Sequence, residues 1–275
     1  LGLDTMVAFR DACGIRPLVL GKKGKEMIVS SETCALQTIR AELVREIRPG
    51  EMIVINKNGV ESRKLAEQKQ KLDIFEFIYF ARYDSTILGK SVYEVRKNLG
   101  RILAREHKLD VDMVIPVPDT AVPAAIGYAE ESGIPFEMGI SKNHYINRTF
   151  IEPTQELRNE KVKMKLSPLA SVIKGKKIAV MDDSIVRGTT SKQIVKMLFG
   201  AGATEVHFLV SSAPIKFPDF YGIDTPKQSD LIASQKTTKE ICEFLGATSL
   251  SYLSIKGMVA ATGLPKSHFS LSSFD

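Results

Sequence analysis

The sequence predicts an α/β protein, an open and mainly parallel sheet with flanking helices, preceded by a β-rich segment. Three observations carry this. From Ile74 onward short apolar runs alternate with amphipathic stretches, two glycine-marked hairpins occupy the first sixty residues, and one apolar run ends on paired acids before a hydroxyl-rich helix start. Strands alternating with helices favour parallel pairing, because parallel neighbours need a long crossover connection that a helix supplies.

Taken in order, Ile15–Leu20 and Met27–Ser30 flank a turn across Gly21–Lys25. A helix is expected across Thr33–Glu46. Met52–Ile55 and a strand from Val60 flank Asn58-Gly59, a pair suited to a tight hairpin turn. Polar residues Glu61–Lys71 then mark a boundary, so that residues 1–65 and 66–275 are expected as separate domains. Beyond it, Ser91 and Glu94 have capping-box spacing, and Val92, Val95, Leu99, Ile102 and Leu103 recur at helical intervals as far as Glu106. Strands are expected at Val111–Ile115, Ile134–Ile140, Lys177–Met181 and Val206–Ser211, with helices at Val122–Glu131 and Thr190–Phe199.

Composition narrows the class. The 275 residues hold 38 Lys and Arg against 32 Asp and Glu, with 44% hydrophobic and 25% charged residues, the balance of a folded globular chain. No apolar run approaches the roughly 18 residues that span a bilayer, and the opening LGLDTMVAFRD lacks the features of a signal peptide. Cys13, Cys34 and Cys242 are odd in number and far apart, which fits a reducing cytoplasm better than a disulfide scaffold. His107, His144, His207 and His268 lack metal-ligand spacing. Basic residues are interleaved with acids, without a nucleic-acid-binding signature, so neither nucleic acid nor membrane is expected as a partner.

The most informative segment is KKIAVMDDSIVRGTTSKQIVKML. In an open parallel sheet, ligands bind beyond the carboxyl ends of the strands. Here an apolar strand delivers Asp182 and Asp183 to that end, a loop of Ser184–Gly188 follows, and Thr189, Thr190 and Ser191 open a helix. Helix-start amides suit a phosphate, and Gly188 permits close backbone approach. The acids suit ribose hydroxyls or a magnesium ion instead. An isolated acid pair is commonly a solvated loop, but the strand, acids, glycine and threonines together specify a sugar phosphate.

VMDDSIVRGTT resembles the phosphoribosyl pyrophosphate (PRPP) loop of type I phosphoribosyltransferases. Across essentially the whole chain, RDACGIRPLVLG, SSETCAL, FEFIYFARYDS, GKSVYEVRKNLGR, VIPVPDTAVPAAIGYAEESGIPFE, KNHYINRTFIEPTQELR and FYGID are similar to the glutamine PRPP amidotransferase family. The resemblance implies a type I phosphoribosyltransferase fold at 66–275, preceded at 1–65 by the closing part of an N-terminal-nucleophile hydrolase domain. It implies transfer of ammonia to PRPP, giving phosphoribosylamine and pyrophosphate, with purine nucleotides as inhibitors and a homo-oligomeric assembly in the cytoplasm. It assigns substrate binding to Asp119, Thr120, Gln155, Asp182, Asp183, Ser184, Arg187, Gly188, Thr189 and Thr190. Magnesium falls to Thr120, Asp182 and Asp183. A lid over Lys142–Gln155 would close over the reacting ribose and exclude water, bringing Lys142, Tyr145 and Arg148 as catalytic residues to the pyrophosphate or neighbouring groups. His144 stands where the family usually has arginine.

Two departures bear on activity. The match begins inside the glutaminase domain and Cys13 cannot serve as an N-terminal nucleophile, so glutamine hydrolysis is not expected from this chain alone. Asp73, Asp219, Ser270 and Ser273 match the positions that hold a four-iron cluster in some members; none is a thiolate, and no iron–sulfur cluster is expected. A nucleobase salvage phosphoribosyltransferase and a non-catalytic PRPP-binding regulator are the alternatives.

Overall fold

The computed structural model describes residues 4–143, 145, 165–221 and 227–275. Contacts divide the chain into two compact units, residues 1–95 with 262–272, and residues 96–261 with 273–275. The composition change near residue 65 therefore lies inside the first unit.

The first unit is built from short antiparallel ladders. Strands β1 (Thr5–Phe9), β5 (Glu51–Asn56) and β6 (Gly59–Lys64) form one sheet in the order β1-β5-β6. Strands β2 (Val19–Lys23), β3 (Glu26–Ser30) and β4 (Glu42–Glu46) form a second in the order β3-β2-β4. Both expected hairpins are present, each with its turn displaced. Lys23 pairs with Glu26, leaving Gly24-Lys25 at the tip, and Gly21 lies within β2. A side chain at Gly21 would meet Leu36 Cδ2 at 2.5 Å, so this glycine serves close packing rather than the turn. Asn56 pairs with Gly59, so the second tip is Lys57-Asn58 and Gly59, at φ 122°, opens β6.

The helix expected across Thr33–Glu46 is corrected. Helix α1 spans Thr33–Thr38 only, and Glu42–Glu46 is β4. Arg40 at φ 55° breaks the helical path, and Glu42–Glu46 pairs antiparallel with β2 instead. β7 (Leu72–Asp73) and β16 (Phe269–Ser270) pair in parallel, and β8 (Thr86–Ile87) and β9 (Lys90–Ser91) form a small hairpin.

Arg10 ties the loop after β1 together. It is 4% exposed and donates to the carbonyls of Arg16 and Ile47 at 2.8 Å and of Gly14 at 3.0 Å. Removing the guanidinium leaves three inward carbonyls unpaired, and each unmet buried group costs about 1–3 kcal/mol. Arg10→Met is expected to lower unfolding stability by about 3 kcal/mol or more in chemical denaturation.

Arg16 is shared by two buried acids, lying 3.1 Å from Asp73 and 3.0 Å from Glu76. One cation serves two carboxylates, and burial pushes Glu76 up to about 7 against the pull of Arg16, with the charge of Asp73 adding to the rise. A carboxyl raised on folding is stabilising when protonated. Its contribution is full below the unfolded value near 4.5, falls as pH rises, and is lost above about 7. Glu76→Gln is therefore expected to gain stability relative to the wild type between pH 4.5 and 7, by up to about 3 kcal/mol, in paired melts across pH.

The second unit contains β10 (Met113–Pro116), β13 (Lys177–Asp182), β14 (Glu205–Val210) and β15 (Ser249–Tyr252), parallel throughout and in the order β10-β13-β14-β15. Helix α2 (Val92–Glu106) leads into this unit, and the Glu94 amide donates to Ser91 Oγ at 3.4 Å, one half of the expected capping box. Helices α3 (Val122–Ser132), α4 (Ala170–Ile173), α5 (Thr189–Gly200), α6 (Ile232–Gln235), α7 (Thr238–Leu245) and α8 (Ile255–Thr262) follow in order. Val180, Phe208, Ile194, Leu198, Ile241 and Leu245 pack into one core, while the alternate strand residues Val114, Ala179, Met181 and Leu209 are buried as well. Both sheet faces are thus covered, which explains why these strands read as continuous apolar runs.

The strand expected at Ile134–Ile140 is corrected too. It touches the main sheet through one bridge, Val114 to Phe136. Ile140 instead opens β11 (Ile140–Lys142), antiparallel to β12 (Leu166–Pro168). Gly139 explains the departure, since its missing side chain leaves room for Ile115 at 2.8 Å from the ideal Cβ position.

Candidate functional site

The candidate residues leave the sheet at one edge. β10 and β13 run side by side with Pro116 opposite Met181, and the Val117 amide donates to the Met181 carbonyl at 2.8 Å. The turn Pro118–Ala121, with Asp119 and Thr120, therefore emerges next to Asp182 and Asp183. The Pro118–Asp119 peptide is cis. The Ser211 amide donates to the Asp182 carbonyl at 2.9 Å and anchors the end of β13 to β14.

The acid pair is electrostatically loaded. Burial pushes Asp182 well above the usual carboxylate range, and the neighbouring charge of Asp183 adds to it. Burial also raises Asp183, to about 6, against a hydrogen bond from Ser184 and the attraction of the Arg96 guanidinium. The Ser184 hydroxyl donates to Asp183 Oδ1 at 2.6 Å, and the Asp183 amide to Asp182 Oδ1 at 2.9 Å. Arg96 is 3% exposed on α2, a buried cation that its motif did not single out. Two desolvated carboxylates whose ionisation is costly make a strong demand for a positive partner.

Five residues on from Asp183, the backbone turns into a cradle. Gly188 precedes α5 at φ 74°, a conformation that favours glycine. Thr189 and Thr190 open the helix exposed, and no side chain caps it. First-turn amides without a capping side chain are disposed to accept an anion. The far side of the cradle is packed: an added Cβ at Gly188 would lie 3.0 Å from Ile232 and 3.2 Å from Phe244. That backing comes from α6 and α7, which local sequence patterning leaves unassigned.

Lys142 ends β11, and its ammonium meets the Asp119 carboxylate. Tyr145 is 98% exposed. The β11–β12 ladder, with the Asn143 amide on the Lys165 carbonyl at 2.8 Å, joins Lys142, the first residue of the segment expected to form the lid, to Leu166, which lies beyond that segment's expected end. Arg148, Gln155 and His144 lie outside the described residues. Arg187 is exposed and its guanidinium contacts Asp230 at 3.1 Å. Of the positions matching a cluster site, Asp73 Oδ1 accepts from the Phe75 amide at 3.0 Å, Asp219 Oδ1 from the Tyr221 amide at 2.6 Å, and the Ser270 hydroxyl donates to Ser272 at 3.2 Å. Among the described residues no three His, Cys, Asp or Glu side chains gather as metal ligands, and no helix is long and apolar enough to cross a membrane.

No protein-family model matches the chain. Individual proteins do. The chain is 52% identical over 264 residues to the amidophosphoribosyltransferase of Synechococcus elongatus, covering 94% of this chain and 54% of that protein. It is 48% identical over 259 residues to the amidophosphoribosyltransferase of Bacillus subtilis, again covering 94% and 54%. The solved B. subtilis glutamine PRPP amidotransferase, complexed with ADP and GMP, superposes with a TM-score of 0.92 at 46% identity, over 100% of this chain and 61% of that one. Over nearly its whole length the chain is similar to proteins named amidophosphoribosyltransferase. It spans about half the length of the curated relatives it matches. The expected fold class is borne out, since the parallel sheet with its helices and the β-rich segment before it both find their counterparts in that solved structure.

Proposed function

We propose that this chain carries out the synthetic half of the amidophosphoribosyltransferase reaction. Ammonia forms a bond to C1 of PRPP as the bond to pyrophosphate breaks; phosphoribosylamine and pyrophosphate leave, with one proton released from nitrogen. Where glutamine supplies the ammonia, glutamate is the third product. The single observation that carries this reading is the pairing of a half-buried acid pair with an uncapped helix start at the end of one parallel strand. An anion cradle and a cation-seeking carboxylate pair in one short loop suit the two ends of a phosphorylated, pyrophosphorylated pentose.

In this reading the amides of Gly188, Thr189 and Thr190, with the threonine hydroxyls and Ser184, hold the 5-phosphate. Asp182 and Asp183 face the ribose and, with the hydroxyl of Thr120, offer the hard oxygen donors that magnesium prefers. The fit rests on the desolvation of both acids, which a divalent cation would offset. Bound there, magnesium would neutralise charge on the departing pyrophosphate. Asp119 serves through its backbone, its carboxylate being engaged with Lys142. Lys142, Tyr145, Arg148 and Gln155 close over the pyrophosphate from the lid. The domain boundary at 65/66, a cytoplasmic location and inhibition by purine nucleotides belong to the same proposal; the ADP and GMP of the solved B. subtilis enzyme support the last.

The test is direct: incubate the chain with PRPP, magnesium and ammonium at alkaline pH and follow pyrophosphate. Release that depends on ammonium supports the assignment. Release only with a nucleobase would favour a salvage enzyme, and PRPP binding without turnover a regulator.

A further inference from the structure

The cation in the middle of the loop already has an anion. Arg187 Nη2 donates to Asp230 Oδ2 at 3.1 Å, with the two side chains 53% and 37% exposed, so a solute can reach the pair. Asp230 ends a single helical turn, Gln228–Asp230, and the residues just beyond it bind that turn to the loop. The Ile232 amide donates to the Val186 carbonyl at 2.9 Å, and Ile232 and Phe244 fill the space that a side chain at Gly188 would need. Lys192, one turn into α5, sits 4.4 Å from the centre of the Phe244 ring. Asp230 is thus held by the same contacts that hold the loop. The arrangement recurs at Lys142, whose ammonium meets Asp119.

We propose that Asp230 is an internal counter-anion of the loop, acting through Arg187 to set how much negative charge a ligand needs to win that guanidinium. An anion approaching Arg187 must displace the carboxylate or tolerate its repulsion. A dianionic phosphate, such as the 5-phosphate that the neighbouring amides would hold, does so more readily than a monoanion, so the pair discriminates among anionic ligands by charge. This rests on the reading of the loop as a PRPP site.

Calorimetry with ribose 5-phosphate, and separately with PRPP, on the whole chain tests it. Asp230→Asn is expected to bind both about two- to fivefold more tightly, the range set by an exposed ion pair. Asp230→Glu, which keeps the charge and can re-form the pair, is expected to bind as the wild type does. In an Arg187→Gln background the gain from Asp230→Asn is expected to vanish. Equal or weaker binding by Asp230→Asn, or an undiminished gain without Arg187, overturns the proposal while leaving the site standing. Failure of the wild type to bind either anion overturns the site and the counter-anion together.

Discussion

Asp183→Asn is expected to lower kcat/KM for PRPP, with ammonium as nucleophile, by about 100-fold or more without loss of stability. The two halves of this expectation have one cause. Burial makes the ionised carboxylate costly, holding Asp183 near 6. An amide of the same shape removes that cost, so the melting temperature at neutral pH should hold or rise. It also removes the charge that magnesium and the ribose would use, and metal-mediated charge stabilisation is worth several kcal/mol, with about 1.4 kcal/mol per factor of ten. Asp182→Asn should behave alike, because its carboxyl is raised by the same burial. Fall of rate with a preserved melt separates a ligand-binding acid from a structural one. An unchanged rate in both variants would remove the pair from the site.

Gly100→Ala is expected to be the most destabilising small substitution in the second unit. α2 and α3 cross backbone to backbone: an added Cβ at Gly100 would lie 1.8 Å from the Ala124 carbonyl oxygen, and one at Gly127 1.9 Å from that of Lys97. No rotamer change relieves a contact with a backbone atom, so the helices must separate and open the packing around Leu99, Leu103 and Tyr128, all essentially buried. Overpacking a tight interior usually costs about 1–3 kcal/mol, and a backbone clash belongs at or above the top of that range. Denaturation of Gly100→Ala and Gly127→Ala, set beside Gly133→Ala, gives the measure. Gly133 has open space around it and only its φ of 75° to strain, so its loss should be the smaller. Equal midpoints for all three would contradict the close crossing.

What could be read from residues alone was what local chemistry decides. The strand through Met181 and helix α5 follow from short-range patterning, as do the glycine between them and the acid pair at the sheet edge, and the structure has them within a residue or two. Helix α2 was legible for the same reason. Where two local preferences competed, the sequence misled. Ala41–Glu46 has helical composition and becomes a strand because β2 offers it a pairing edge, and Ile134–Ile140 gives up its place in the sheet where Gly139 makes room for Ile115.

Sequence by itself determined the class of fold, the loop and the resemblance, because spacing along one chain encodes them. Tertiary structure alone decided the electrostatics. Nothing near Arg187 in the chain announces Asp230, 43 residues on, and nothing near Asp183 announces the buried Arg96. The same holds for the burial that raises both acids and for the packing of Ile232 and Phe244 where a side chain at Gly188 would lie. Charge interactions and packing fall off with distance in space and take no account of distance along the chain, so they exist only once the strands and helices have been brought together.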